Sequence, residues 1–238
     1  MRAQVAATCF VWLGTLAATL AGTPAAAQIA APGPPGPYVI DVRLGTSAIP
    51  QDAGFFPPVP TATLIPSRGY GIDVGAHVYL LRLGPGRFGI GASVVRVGST
   101  ASQPRPSIGS ASASSTPRAR PDVSATVTII SPQLSYNFGS AAGWSYLSAG
   151  VGHTKVVTGT TAFGGPGSGT SMTPERSVDS RTLSTTNFGG GARWFTKAHL
   201  GFSFDVRFYL VSARAAEGTS PATTGTTLVA ASAGISLR

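Results

Sequence analysis

Residues 200–211 read LGFSFDVRFYLV. In an extended chain successive side chains point to opposite faces. Leu200, Phe202, Phe204, Val206, Phe208 and Leu210 then share one face, and Gly201, Ser203, Asp205, Arg207 and Tyr209 share the other. One face is continuously large and apolar, while the other collects the charges, the small residues and a tyrosine. Alternation alone suits a soluble sandwich as well. A soluble sandwich needs solvated polar positions outside on every strand, whereas a lipid-facing barrel needs apolar residues outside and polar ones within.

The same pattern recurs on both sides of this segment. Tyr38, Ile40, Val42 and Leu44 oppose Asp41, Arg43 and Gly45. Tyr70, Ile72, Val74, Ala76, Val78 and Leu80 oppose Gly71, Asp73, Gly75, His77 and Tyr79. Eight such runs are readable: Tyr38–Thr46, Gly69–Leu81, Arg87–Val97, Ala125–Phe138, Trp144–Lys155, Leu183–Phe195, Leu200–Val211 and Thr227–Leu237. Most exceed the roughly 5–6 residues of an average globular strand and reach the 9–11 that a tilted membrane-crossing strand requires. The gaps between them are 22, 5, 27, 5, 27, 4 and 15 residues, long and short in strict alternation. Short turns on one rim and long loops on the other are the plan of an outer-membrane barrel. The short gaps carry turn chemistry, such as Gly84-Pro85-Gly86, and the long ones are low-complexity, such as SIGSASASST at 107–116 and GGPGSGT at 164–170.

The first 27 residues read as a secretory signal peptide. Arg2 opens a short positive region, Val5–Leu20 is apolar or small, and Ala25-Ala26-Ala27 suits cleavage before Gln28. The apolar run falls short of the ~20 residues of a spanning helix. Residues 28–37 form a Pro-rich lead-in, and 38–238 the barrel. The single cysteine, Cys9, lies in the signal, so the remainder of the chain has no disulfide and no Cys-based zinc module. Only 11% of the 238 residues are charged, against roughly 25% in ordinary soluble domains. The formal charge is +9, and +8 once Arg2 is removed. Its basic surplus sits toward the two rims, which suits anionic headgroups and lipid phosphates, although a simple preference for Arg over Lys accounts for it nearly as well.

The bulky aromatics gather near the short-turn ends. Tyr38, Phe88, Phe138, Trp144, Trp194 and Phe202 are therefore expected to form an interfacial girdle on that rim.

With GYGIDVGAHVYL at 69–80, RFGIGASVV at 87–95 and GFSFDVRFYL at 201–210, residues 38–238 resemble small eight-stranded outer-membrane barrels of the OmpA/OmpX or OmpW kind. The resemblance implies an all-β, antiparallel up-and-down transmembrane barrel in a bacterial outer membrane, monomeric, with both termini periplasmic. It implies outer-membrane lipids, lipopolysaccharide among them, and the barrel-assembly machinery as partners. The terminal AGISLR at 233–238 is similar to the assembly signal of such barrels but lacks its usual last aromatic.

An eight-stranded lumen is just wide enough to be filled by side chains. Asp41, Arg43, Asp73, His77, Arg193, Asp205 and Arg207 are the inward charged or titratable residues expected to form an ion-pair network there, because charges in a low-dielectric lumen must pair. That network is either structural or the constriction of a narrow pore. Three isolated histidines without a convincing serine spacing give no catalytic site, and the sequence gives no metal set, cofactor motif or nucleic-acid signature. The reading is a structural, adhesive or minor solute-passing barrel. Its alternatives are a soluble secreted barrel or sandwich that binds an apolar ligand, and an outer-membrane lipid-modifying enzyme.

Overall fold

The computed structural model describes residues 37–56, 64–102, 122–140, 142–162, 175–218 and 221–238. The signal peptide, Cys9, all of the lead-in except Pro37 and both low-complexity stretches lie outside the described residues.

Eight strands run β1 (Tyr38–Ala48), β2 (Arg68–Leu83), β3 (Gly86–Ala101), β4 (Asp122–Ser140), β5 (Gly143–Ala162), β6 (Glu175–Phe195), β7 (Leu200–Val211) and β8 (Thr226–Leu237). Each pairs antiparallel with its sequence neighbours, and β1 closes on β8 from Ile40↔Leu237 to Ser47↔Ala230. Closure leaves no sheet edge, which is what allows strands to cross hydrocarbon without a row of unpaired backbone groups. No helix among the described residues is long and apolar enough to cross a membrane. Gly84 supplies the positive φ (57°) that the tight β2–β3 turn requires.

The eight expected strands are all present, but β4, β5 and β6 are 19, 20 and 21 residues long. In β6 the sequence pattern starts at Leu183, whereas the strand starts at Glu175. The reason is a change of phase. On β4, residues Ile130, Leu134 and Phe138 face outward and Ser131, Gln133, Ser135 and Asn137 face inward. Farther from the short turns the roles reverse: Val123, Ala125, Val127 and Ile129 are buried inside, and Ser124, Thr126 and Thr128 alternate with them outside. The switch falls within the doublet Ile129-Ile130 and needs no bulge. Val94-Val95 on β3 makes the same switch, and the two doublets pair directly, Val94↔Ile130 and Val95↔Ile129.

Across β3–β6 the sheet is therefore two structures end to end. The half nearest the short turns is apolar outside and polar inside, with Leu80, Leu134, Leu147 and Phe202 among its exposed large side chains. A soluble protein does not expose so continuous an apolar belt. Beyond that belt β3–β6 continue with polar residues outside and apolar ones inside, as in a water-soluble sheet, and rise out of the bilayer. A closed antiparallel barrel of even strand number, belted this way, with short turns on one rim and long connections on the other, is the architecture of the bacterial outer membrane. This chain is a transmembrane barrel of that kind.

Pro132 stands in mid-strand on β4, where it cannot donate to the ladder. Pairing with β5 lapses between Ile130↔His153 and Gln133↔Gly150. The hydroxyl of Ser131 takes over, with its Oγ 3.3 Å from the Val151 carbonyl oxygen and 3.2 Å from that of Pro132.

The start of the first long connection is folded into the mouth of the barrel. Asp52 caps a 3-10 turn, Ala53–Phe55, by accepting from Gly54 N at 2.8 Å. Ile49, Phe55 and Phe56 are buried in one cluster with Val97, Val127, Ile129, Val156, Leu183 and Leu228. Thr158 Oγ1 donates to the Phe55 carbonyl at 2.7 Å, which ties this insert to the wall.

Candidate functional site

The lumen is occupied on three levels. At the short-turn end Val39, Tyr79, Trp144 and Phe195 form an apolar cluster. The Trp144 ring lies 5.3 Å from Phe195 and 5.7 Å from Tyr79, centroid to centroid. Trp144 is thus not part of the outward girdle. It falls on the same alternate face as the buried Tyr146 and Ser148, opposite to Leu147, and is 4% exposed. Tyr38, Phe138, Trp194 and Phe202 do face outward, and Phe88 is half-buried.

Above this cluster lies the polar level. Arg193, with no exposed surface, donates through Nε to Asp41 Oδ1 at 3.0 Å and through Nη2 to Oδ2 at 2.6 Å. Its guanidinium stacks on the Tyr146 ring at 3.9 Å. Arg43 reaches Asp41 at 2.6 Å and Asp73 at 3.0 Å. It also donates to Ser203 Oγ at 3.1 Å and to the Tyr146 hydroxyl at 3.0 Å. That hydroxyl donates to Asp205 Oδ2 at 2.6 Å. Arg207 closes the chain, donating to Asp205 Oδ2 at 3.0 Å, to Asn187 Oδ1 at 3.0 Å and to Ser148 Oγ at 2.9 Å. Ser232 donates to Asp73 at 2.8 Å, and Ser236 donates to Asp41.

Three carboxylates and three guanidinium groups therefore balance within one layer. The layer joins β1, β2, β5, β6, β7 and β8 across the lumen. Desolvating six charges is costly, and bidentate geometry with hydroxyl partners at the remaining lone pairs is what offsets it. Glycine makes room for it: a Cβ on Gly191 would lie 2.8 Å from the Tyr146 hydroxyl and 1.9 Å from the Phe204 carbonyl oxygen.

The structure brings together six of the seven expected charged residues. His77 is the exception. It is buried, stacks parallel to Tyr79 at 6.3 Å, and has no hydrogen-bond partner on either ring nitrogen among the described residues. Asp73, four residues earlier on the same face, is already engaged by Arg43 and Ser232. Sequence reasoning missed Tyr146, which links three of the charges. Its signal was its phase, since it alternates with the outward Leu147. His153 faces outward opposite Ser184, and none of their outward neighbours Thr128, Val151, Lys155, Thr182 and Thr186 is a carboxylate. No group of three or more His, Cys, Asp or Glu that could hold a metal ion occurs among the described residues.

The third level is the apolar cluster sealed by the insert. Thr224 donates to Asp52 Oδ2 through its backbone N at 2.6 Å and also through its hydroxyl, and so joins the insert to the last long connection. The Thr224 hydroxyl, then its backbone N–H and that of Gly54, hold the Asp52 carboxyl below the ordinary value of 3.8. A carboxyl lowered on folding stabilises the docked form above its unfolded value, and that contribution is lost as pH falls through the folded one. Amide exchange at Gly54 and Thr224, corrected for intrinsic rates, is expected to accelerate below about pH 4. The same acceleration should be present at neutral pH in Asp52→Ala.

No family model matches the chain, and no curated protein matches it. Solved structures similar to it include Ail, the attachment invasion locus protein of Yersinia pestis, in complex with the heparin analogue sucrose octasulfate. That similarity is at 10% identity, covers 84% of this chain and 96% of that one, and has a TM-score of 0.44. Neisserial surface protein A is similar at 10% identity over 85% of this chain and 97% of its own, with a TM-score of 0.45. The N-terminal β-barrel domain of Pseudomonas aeruginosa OprF is similar at 10% identity over 84% and 96%, with a TM-score of 0.34. At such identities and scores the assignment of the fold rests on the chain's own strand pairing and its inverted faces.

Proposed function

We propose that this barrel is a structural and surface-presenting element of the outer membrane that neither conducts solute nor catalyses a reaction. The observation that carries the reading is the filling of the lumen on three successive levels: an aromatic cluster, a charge-balanced network and an apolar cluster sealed by Phe55 and Phe56. A pore needs a continuous wet path, and side chains packed across the lumen on three levels argue against one. The surface role is supported by the half of the sheet that leaves the bilayer. Strands of 19–21 residues are about twice the length that crossing requires. They carry a hydroxyl-rich outer face of Ser124, Thr126, Ser180, Thr182 and Ser184 at the base of the long connections. Such a face suits adhesive contact with polar surfaces, and the barrel acts as a monomer anchored by lipid.

Planar-bilayer recording tests the closed lumen. The folded wild-type barrel is expected to hold the baseline. Arg207→Ala should hold it too, because the aromatic and apolar levels remain, while its unfolding midpoint in urea falls. Steady single-channel steps from the wild type would overturn the reading in favour of a minor solute path.

A further inference from the structure

Outward residues of β3, β4, β5 and β6 form one row just beyond the doublets where the faces exchange. Register places Arg96 opposite Thr128, Thr128 opposite Lys155, and Lys155 opposite Thr182. Strands lie about 4.8 Å apart, so the two cations stand roughly 10 Å apart with the Thr128 hydroxyl between them. Arg96 and Lys155 are both exposed, and neither makes an ion pair or side-chain hydrogen bond among the described residues. On the far side of the barrel β7, β8 and β1 carry no outward Lys or Arg among the described residues. The charge is therefore local to one face and not a uniform ring.

Closer to the bilayer centre, the same face carries a shallow, open apolar groove. Ala76, Pro132 and Ala149 are among its smaller lining residues, and Ile90, Leu134 and Val151 among its larger ones. Pro132 pairs with Ala92 on β3, and Ala92 with Ala76 on β2. A row of small side chains thus lies between the bulkier rows of Val74, Val94 and Ile130 on one side and Val78, Ile90 and Leu134 on the other.

Unpaired cations at headgroup level over an apolar groove complement a molecule with an anionic head and an acyl tail. A guanidinium fork grips phosphate oxygens in pairs, and an ammonium adds a point charge beside it. We propose that the β3–β4–β5 face is a fixed site for a phosphorylated lipid of the outer leaflet. Arg96 and Lys155 hold the phosphate, Thr128 donates from between them, and one acyl chain lies in the groove over Pro132.

Native mass spectrometry of the folded barrel in a zwitterionic detergent, with dioleoyl phosphatidic acid or dioleoyl phosphatidylcholine added, tests this. One phosphatidic acid per barrel should be retained, in preference to phosphatidylcholine. Arg96→Ala with Lys155→Ala should weaken its retention roughly 30-fold, about fivefold for each cation. Ala149→Phe fills the groove without altering a charge and should weaken it severalfold. Heat-modifiable gel mobility confirms that each variant is folded, and if the double variant is not, Lys155→Gln alone reads the expected fivefold. Equal retention of the two lipids would overturn the proposal, as would undiminished retention of phosphatidic acid by the charge variants. Displacement by inorganic phosphate at matched concentration would also overturn it, since the site would then have no lipid component.

Discussion

Arg193→Ala is expected to lower the unfolding free energy of the barrel by about 3–5 kcal/mol, the usual cost of removing one partner from a buried, hydrogen-bonded charge pair. The side chain has no exposed surface and makes two bonds to Asp41. Its loss strips Asp41 of one of its two guanidinium partners and leaves a void above the Tyr146 ring. Urea titration of the barrel refolded into vesicles measures the effect. Arg193→Lys keeps the charge but not the fork, and should fall between the wild type and alanine. In Asp41→Ala, Arg193 is left without a carboxylate partner, so that variant should also lose several kcal/mol. Combined in one chain, the two substitutions should cost clearly less than the sum of their separate effects, because they remove one interaction twice. A loss below about 1 kcal/mol for Arg193→Ala would mean that water reaches the layer and screens it, contrary to the filled lumen.

Phe55→Ala should cost about 3–5 kcal/mol of local stability, as truncating a fully buried aromatic ring does. The loss falls on the docked insert and not on the barrel, whose ladders do not pass through it. Once the insert detaches, further loss of its contacts cannot weaken the rest. The amide of Ile49, bonded to Ser67 O at 3.0 Å, and that of Phe55, bonded to Asp52 O at 3.0 Å, should exchange at least ~100-fold faster. Strand amides should be unchanged. Uniform acceleration across β1–β8 would show instead that the insert is integral to the barrel.

How much of this was legible depends on phase. β7 keeps one phase over all twelve residues, so its faces and its charges Asp205 and Arg207 could be read directly. The membrane-crossing half of β1 and β2 reads equally well, and with it Asp41, Arg43 and Asp73. On β4 the alternation runs unbroken through Ile129-Ile130 while the apolar set changes sides, so its two halves look alike in sequence. On β6 the alternation is readable only from Leu183, because Ser177, Ser180 and Thr182 before it look like loop composition when read alone. The neutral members of the network were illegible for another reason. Tyr146 and Ser203 meet Arg43 only because closure brings β1 across from β5 and near β7, and no local pattern encodes contacts made across a lumen. Trp144 lies near a rim in sequence, as the girdle residues do, but its register position places it inside. The insert was hidden in a Pro-rich context, IPQDAGFFPP at 49–58, where two adjacent phenylalanines without alternation were the available sign of a plug.

The paired doublets Val94-Val95 and Ile129-Ile130 also set the barrel's draught. Sinking by one pair of residues, about 7 Å along a strand, would pull Arg96, Thr128 and Lys155 into hydrocarbon. Rising by the same amount would strand Val94 and Ile130 in water. Both displacements are opposed, so the molecule has a restoring force toward a single depth. Leaflets of another thickness would have to adapt to it. Moving the exchange of faces along β3 and β4 in step would reset that depth.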